Sequence, residues 1–343
     1  MRYNASAENP PARHRFSLRA RLLQVFLHWG VMPFLLVFAL IGFSLMSPRF
    51  LTGENLVNLV RQSVYLVLVS LGQMLALISG GFDLSVGTVV AITSVVSALT
   101  MGALAASFPQ AMWLVIGMGF LAGLGAAMLM GSINGVGVAL FSVSPFIMTL
   151  GMQSVGFGIA LFLTAGVPVS NLPDALGDTF GFGVLLGIPV PILIMLAMLA
   201  TAYVALNYAT WGRHLYAVGS NQKAAMLSGV AVKPVLTSAY ILCAIISGIA
   251  GLLLTARTAS GDANLGSSLA LESIAACVIG GVSLRGGIGR LENVVLGAIF
   301  IGLVQNGMNL AQIGSYLQIV VLGVLLIVAV IFDRIRQTRL YRL

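Results

Sequence analysis

Residues 235–256 read VLTSAYILCAIISGIAGLLLTA, a run of twenty-two residues that contains no Asp, Glu, Lys or Arg. As a helix this run would be about 33 Å long, which is enough to cross the roughly 30 Å hydrocarbon core of a bilayer. Lys233 precedes the run and Arg257 follows it, so the nearest charges lie at its two ends. The stretch therefore predicts a helix that spans a membrane.

Similar apolar runs continue in both directions from this segment. Together with it they form ten candidate spans, at residues 28–46, 62–79, 85–104, 112–130, 145–165, 184–206, 235–256, 272–283, 293–310 and 316–332. The eighth run is short and has Gly-rich flanks, which suggest a broken helix, and the sequence leaves open whether this run crosses fully or is re-entrant. We therefore expect an all-α integral membrane protein with about ten transmembrane helices, some of them short or broken.

The composition excludes a soluble globular protein. Apolar residues make up 59% of the 343 positions, charged residues make up 8%, and the mean hydropathy is +1.05. Soluble domains carry about 25% charged residues. The forty glycines fit this interpretation, because small residues let helix backbones approach closely in lipid.

The positive charges predict the orientation. With a cytoplasmic N-terminus, fourteen of the seventeen Lys and Arg residues lie inside, and only Arg49, Arg61 and Arg257 lie outside. Both termini are therefore expected in the cytoplasm, with a basic tail at 1–27, a transmembrane domain at 28–333 and a second tail at 334–343. Because many of these charges cluster at the chain ends, we expect attraction to the inner membrane face and no nucleic-acid partner.

The longest inside loop, 207–234, contains the signals of a short helix. Asn221 is a favourable N-cap, the residues from Ala224 to Leu227 are good helix formers, and Gly229 is a typical stop. An exposed helix of this kind could fit a groove on a partner protein. The same sequence also fits an ordinary interfacial loop, and spacing alone does not separate these interpretations.

Several polar residues lie within or beside the apolar runs and are candidates for a solute pathway. They are Gln73, Asp83, Ser85, Asn134, Glu272 and Asn306. Each also has a structural interpretation: interhelical hydrogen bonding for the three amides, helix capping for Asp83 and Ser85, and stabilisation of a helix N-terminus for Glu272. Because a buried carboxylate is costly in lipid, Asp83 is expected at an interface or a cavity.

The sequence lacks the motifs of an enzyme or a motor. Its two lysines, Lys223 and Lys233, lie outside any Gly-rich phosphate-binding motif, so the chain cannot form a P-loop. Neither a GxSxG nor an HExxH motif occurs, and the three histidines have no metal-ligand spacing. We expect no catalytic residue, metal or cofactor in this chain. Energy for transport would come from a partner, and the alternative is a secondary carrier or facilitator for a small neutral solute.

Five motifs in order make the chain resemble the ribose-type permease subunits of bacterial ATP-binding-cassette importers, the branch that also serves xylose and galactose. They are GGFDLSVG (80–87), GSING (131–135), PFIMTLG (145–151), GRHLYAVGSNQKAAMLSGV (212–230) and LESIAACVIGGVSLRGGIG (271–289). The resemblance extends over almost all of residues 30–333.

This resemblance implies a non-catalytic permease in the bacterial inner membrane that moves a small polar solute, with a monosaccharide expected, by alternating access. It implies partners: cytoplasmic ATPase subunits that bind ATP and Mg²⁺, a periplasmic solute-binding protein, and a second permease copy or paralogue. The loop at 207–234 would be the coupling helix that docks on the ATPase. The residues implied in this coupling are Gly219, Asn221, Ala224, Ala225, Leu227 and Gly229.

Overall fold

Helices account for almost the whole of the described chain. The structure, a computed structural model, describes the backbone of residues 32–340 and the side chains of residues 35–331. The predicted tail at 1–27, the start of the first predicted span and the last three residues lie outside this range.

Between residues 32 and 340 the chain forms thirteen α-helices. They are α1 (Met32–Met46), α2 (Gly53–Ile78), α3 (Val86–Ala105), α4 (Met112–Ala139), α5 (Pro145–Thr164), α6 (Asp174–Leu176), α7 (Val190–Asn207), α8 (Thr210–Ser220), α9 (Gln222–Leu227), α10 (Val232–Thr258), α11 (Leu269–Ile279), α12 (Leu291–Leu310) and α13 (Ser315–Leu340). A π-helical turn (Gly177–Gly181) follows α6, and a small antiparallel hairpin joins β1 (Val184–Leu185) to β2 (Ile188–Pro189). The helix α13 continues well into the segment predicted as a tail.

Seven of these helices are long and apolar enough to cross a membrane, which confirms the predicted all-α membrane class. They are α2, α3, α4, α5, α7, α10 and α12. Three shorter apolar helical segments coincide with the first, eighth and tenth predicted runs: Leu35–Met46, Leu269–Ile279 and Ser315–Ile331. Each predicted run thus overlaps a helix, while the number of crossings stays a prediction.

The helices α2 and α10 form the centre of the bundle. In the most apolar stretch of 18 residues in each helix, 89% of the residues are buried in α2 and 72% in α10. The corresponding share is 17% in α5 and in α7. Small residues permit this close packing: a Cβ on Gly72 of α2 would lie 2.7 Å from the carbonyl oxygen of Cys243 in α10. The outer helices α5 and α7 leave much of their apolar surface for lipid or for another protein.

The eighth predicted span is interrupted, as its glycine pattern predicts. The helix α11 has eleven residues and is about 16 Å long, about half of the hydrocarbon thickness. The segment before it, 259–268, runs back along α3: the Asp262 N–H faces the Ser94 hydroxyl at 3.4 Å. Further along this segment, Gly266 contacts Gly87 near the start of α3. The helix α11 therefore begins inside the bundle.

The connection between α2 and α3 enters the bundle from the end opposite to that of segment 259–268. Gly81 packs against Tyr240, which lies eight residues and about 12 Å into α10. Val90, in the first turns of α3, contacts Gly251, which lies about 28 Å into α10. The start of α3 therefore lies between these two levels, partway along α10, and it meets the start of α11 there.

Candidate functional site

The predicted short helix in the loop at 207–234 is present as α9. The Asn221 side chain caps it by accepting a hydrogen bond from the Ala224 N–H at 3.0 Å. Gly229 follows the helix with φ +83°, a conformation that glycine adopts without steric cost. The sequence signals for the start and stop of this helix are thus confirmed.

Most of α9 is exposed, and three of its exposed residues are apolar. Met226 is 61% exposed and Leu227 is 86% exposed, and Ala224 beside them is exposed as well. Ala225 is buried at 5% exposure, so it packs α9 onto the rest of the chain. The predicted coupling residues therefore divide into an exposed and an inward-facing group, and Met226, which belongs to the exposed group, was missed.

Three glycine-containing segments meet where α8 reaches the bundle. A Cβ on Gly219 would overlap the carbonyl oxygen of Ile78 at the end of α2, and it would lie 2.7 Å from the Gly287 nitrogen. The Gly287 N–H donates to the same Ile78 oxygen at 2.9 Å. A Cβ on Gly286 would lie 2.7 Å from Gly80. We call this contact of residues 78–80, 219 and 286–287 the glycine junction.

The glycine junction joins backbone to backbone, so a displacement of α8 has no flexible side chain between it and the end of α2. Tyr216 of α8 adds a second link by donating its hydroxyl to the Gly289 carbonyl oxygen at 2.8 Å. The segments that form or flank the junction are rich in exposed basic residues, with Glu292 as an exposed acidic residue among them. The exposed basic residues there are Arg213, Lys223, Lys233, Arg285 and Arg290.

Four predicted pathway residues form one buried polar cluster at the break between α2 and α3. Asp83 Oδ1 accepts hydrogen bonds from the Ser85 N–H at 2.8 Å and from the Ser85 hydroxyl at 2.6 Å. The Asn134 amide of α4 donates to Ser85 Oγ at 2.9 Å and lies 3.4 Å from Asp83 Oδ2. In the amide orientation that satisfies both groups, Gln73 of α2 pairs with the N–H and C=O of Asp83.

This cluster explains how the chain tolerates a broken helix among apolar neighbours. Backbone groups away from water need partners, and Gln73 supplies both for Asp83. The expectation that Asp83 faces an interface or a cavity is wrong for this conformation, because its side chain is fully buried. The Asp83 carboxylate is compensated in this buried position by hydrogen bonds from the Ser85 N–H and hydroxyl, with the Asn134 amide beside it.

The predicted capping of α3 by the side chain of Asp83 or Ser85 is wrong, because neither side chain binds an N–H group in the first turn of the helix. Ser85 is the N-cap residue of α3, but its hydroxyl makes no capping hydrogen bond. The Asp83 carboxylate binds the Ser85 N–H instead, two residues along the chain, as in an Asx-turn. Two buried polar atoms beside the cluster, Asn134 Oδ1 and the Tyr240 hydroxyl, have no hydrogen-bond partner in the described part of the chain.

The other two candidate pathway residues lie elsewhere. Asn306 of α12 exchanges two hydrogen bonds with Asn55 of α2, at 2.9 and 3.0 Å, which matches the interhelical interpretation. Glu272 lies half-buried in the first turn of α11, where a carboxylate suits the helix dipole. A pathway role for the six candidates stays a prediction.

Neither metal nor thiol chemistry has a site in the described range. Between residues 35 and 331 no group of three or more His, Cys, Asp or Glu side chains is placed to hold a metal ion. Cys243 and Cys277 are buried free thiols, as their apolar surroundings predict. The described range thus combines an exposed short helix, the glycine junction and broken helices with seven helices that are long and apolar enough to cross a membrane.

Comparison with known proteins gives the same class. Residues 55–330 match the family described as the branched-chain amino acid transport system permease component. The ribose import permease of Bacillus subtilis is 37% identical over 304 residues, 88% of this chain and 92% of that protein. The L-arabinose transport system permease of Escherichia coli is 35% identical, with 90% and 92% covered, and the D-allose permease of that species is 36% identical, with 88% and 90% covered. No solved structure gives a significant match.

The chain therefore belongs to this family of transport permease components. This membership confirms the resemblance to ribose-type permeases of ATP-binding-cassette importers. It also identifies the chain as a non-catalytic subunit of the inner membrane.

Removing the Asp83 carboxylate should destabilise the fold. In Asp83→Ala the Ser85 N–H and hydroxyl lose their acceptor in a buried site, and each such group costs about 1–3 kcal/mol. We expect a clear drop in the apparent melting temperature of the detergent-solubilised protein. The matched control is Asp262→Ala, because Asp262 accepts a hydrogen bond from the Asn264 N–H at 2.8 Å in a more exposed turn. Equal melting temperatures for the two variants would contradict the assigned role of Asp83.

Proposed function

We propose that this chain is the transmembrane permease of an importer that carries a monosaccharide into the cell, driven by ATP hydrolysis on a separate subunit. The observation that carries the proposal is the family membership together with relatives that import ribose, L-arabinose and D-allose. All three names are of monosaccharides, and these relatives are covered over at least 90% of their length. The cytoplasmic ATPase would bind ATP and Mg²⁺, a periplasmic protein would deliver the sugar, and a second permease copy or paralogue would complete the pathway.

The face of α9 is the proposed contact with the ATPase. An apolar face on a short helix is suited to a groove on a partner, with Met226 and Leu227 as its largest side chains. The basic surface around α8 and α9 supports a cytoplasmic location, because cytoplasmic segments carry an excess of Lys and Arg. With this side inside, ten crossings place both chain ends in the cytoplasm.

Alternating access is the proposed mechanism, and the glycine junction is its first link. Closure of the ATPase pair on ATP would displace α9, and α8 would transmit the movement to the end of α2 through Gly219 and Ile78. Because α2 is the most buried of the seven long helices, its displacement would move its neighbours with it. The pathway would then open alternately to the two sides of the membrane.

Reconstitution tests the proposed function. The chain, its ATPase and its binding protein are placed in liposomes, and uptake of labelled D-ribose, L-arabinose and D-allose is measured. We expect uptake of at least one sugar that requires ATP, both protein partners and an ATPase with an intact catalytic residue. Uptake by the permease alone, driven by an ion gradient, would instead establish the secondary carrier.

Charges on the exposed face of α9 should release the ATPase. In Ala224→Glu and Leu227→Glu a carboxylate would be desolvated in the proposed groove, so we expect at least about tenfold less ATPase subunit to co-purify, equivalent to about 1.4 kcal/mol. The matched control is Leu186→Glu, because Leu186 is 94% exposed in the hairpin between β1 and β2. Retention of the ATPase at the wild-type level by both α9 variants would remove α9 as the docking helix.

A further inference from the structure

A cavity of about 320 Å³ lies where the broken helices meet. Its walls come from the first turns of α3, from residues 150–157 of α5 and from residues 263–270, which lead into α11. This volume is at the lower end of the range of about 300–1,000 Å³ seen for small-molecule sites. Residues 150–157 are at the middle of α5, so the cavity lies at the middle of the helix rather than at a membrane surface.

The described lining of this cavity is mostly apolar, with a few polar side chains and no charged one. Its polar side chains are Thr88, Gln153, Ser154 and Ser267, and none of its lining residues is Asp, Glu, Lys, Arg or His. A charged solute would find no compensating charge there, and a charge away from water is costly without one. The chemistry therefore favours a neutral solute with several hydroxyl groups, which can both donate and accept hydrogen bonds.

Gln153 is the most informative residue in the lining. Its side-chain amide is half-buried and makes no hydrogen bond to the described residues, while its backbone carbonyl faces the Thr88 hydroxyl at 3.3 Å. An amide at the middle of a helix among apolar residues needs a partner, and the cavity is the space it lines. Phe157, one helical turn further along α5, adds an aromatic surface on which the C–H groups of a sugar ring can pack.

We propose that this cavity is the transport site at which the chain contacts a neutral, polyhydroxylated solute of monosaccharide size, with the Gln153 amide bonding to its hydroxyls. The proposal rests on the proposed function and adds the location of the solute site within the chain. The position suits a transporter, because discontinuous helices commonly surround solute sites near the middle of the membrane. It also means that the solute site is separate from the buried cluster of Asp83.

The separation between the cavity and the cluster is short along the chain. Ser85 belongs to the cluster, whereas Gly87 and Thr88 line the cavity. A Cβ on Gly87 would overlap the Gly266 carbonyl oxygen, so the two broken segments touch at the cavity wall. Any movement at the break between α2 and α3 would therefore change the shape of the cavity directly.

A pair of leucine substitutions on α5 tests the proposal by transport. Gln153→Leu removes the amide, and we expect uptake of the transported sugar at saturating binding protein to fall at least about tenfold. Val155→Leu is the matched control, because Val155 is 55% exposed on the same helix and lies outside the cavity lining. Wild-type uptake by Gln153→Leu would overturn the proposal, whereas absence of uptake by the wild-type complex would overturn the proposed function instead.

Cysteine labelling tests the cavity independently of transport. In Gln153→Cys and Val155→Cys, the native Cys243 and Cys277 stay buried and should not react. We expect a charged, membrane-impermeant methanethiosulfonate to modify Gln153→Cys faster than Val155→Cys, and D-ribose, L-arabinose or D-allose to slow only the former. Equal rates for the two variants, or no protection by any of the three sugars, would overturn the proposal even if Gln153→Leu failed to fold.

Discussion

The hydrogen bonding of the backbone at the breaks in the helices is the constraint on which the rest of the structure depends. Helices satisfy their own backbone groups in lipid, and every interruption leaves groups that need other partners. The chain supplies them from side chains: Gln73 of α2 pairs with the backbone of Asp83, and the Asp83 carboxylate accepts a hydrogen bond from the Ser85 N–H. Once these partners are present, an extended segment can pass through the bundle, and α3 and α11 can begin inside it.

The same breaks connect the two ends of the proposed transport mechanism. The glycine junction fixes the end of α2 against α8, and the rising segment starts immediately after that end. This segment passes through the buried cluster and ends at Gly87 and Thr88, which line the cavity. A movement that begins at α9 would therefore have a short, continuously packed route to the proposed solute site.

Local signals in the sequence were sufficient to predict the long apolar helices and the short helix α9. Asn221 and Gly229 determine the ends of α9 through capping and a positive φ, and both effects act within a few residues. The hydrogen-bond partners at the interruption between α2 and α3 could not be predicted from the sequence. Asp83 and Asn134 are 51 residues apart, and their contact depends on tertiary packing. The inward orientation of Ala225 also needed the structure. Gln153 was missed, although it is the only amide in the apolar run at 145–165 and so carried a usable signal.

We propose that movement of an ATPase reaches the solute site through the backbone contact of Gly219 with Ile78. Its most direct test is the number of ATP molecules hydrolysed per sugar imported by the reconstituted complex of Gly219→Ala. The added methyl group would overlap the Ile78 carbonyl oxygen and separate α8 from α2, while α9 keeps its exposed face. In Gly219→Ala we expect the ATPase to stay bound and active and the number of ATP molecules hydrolysed per sugar imported to rise several-fold. An unchanged ratio at a normal rate of import would contradict it.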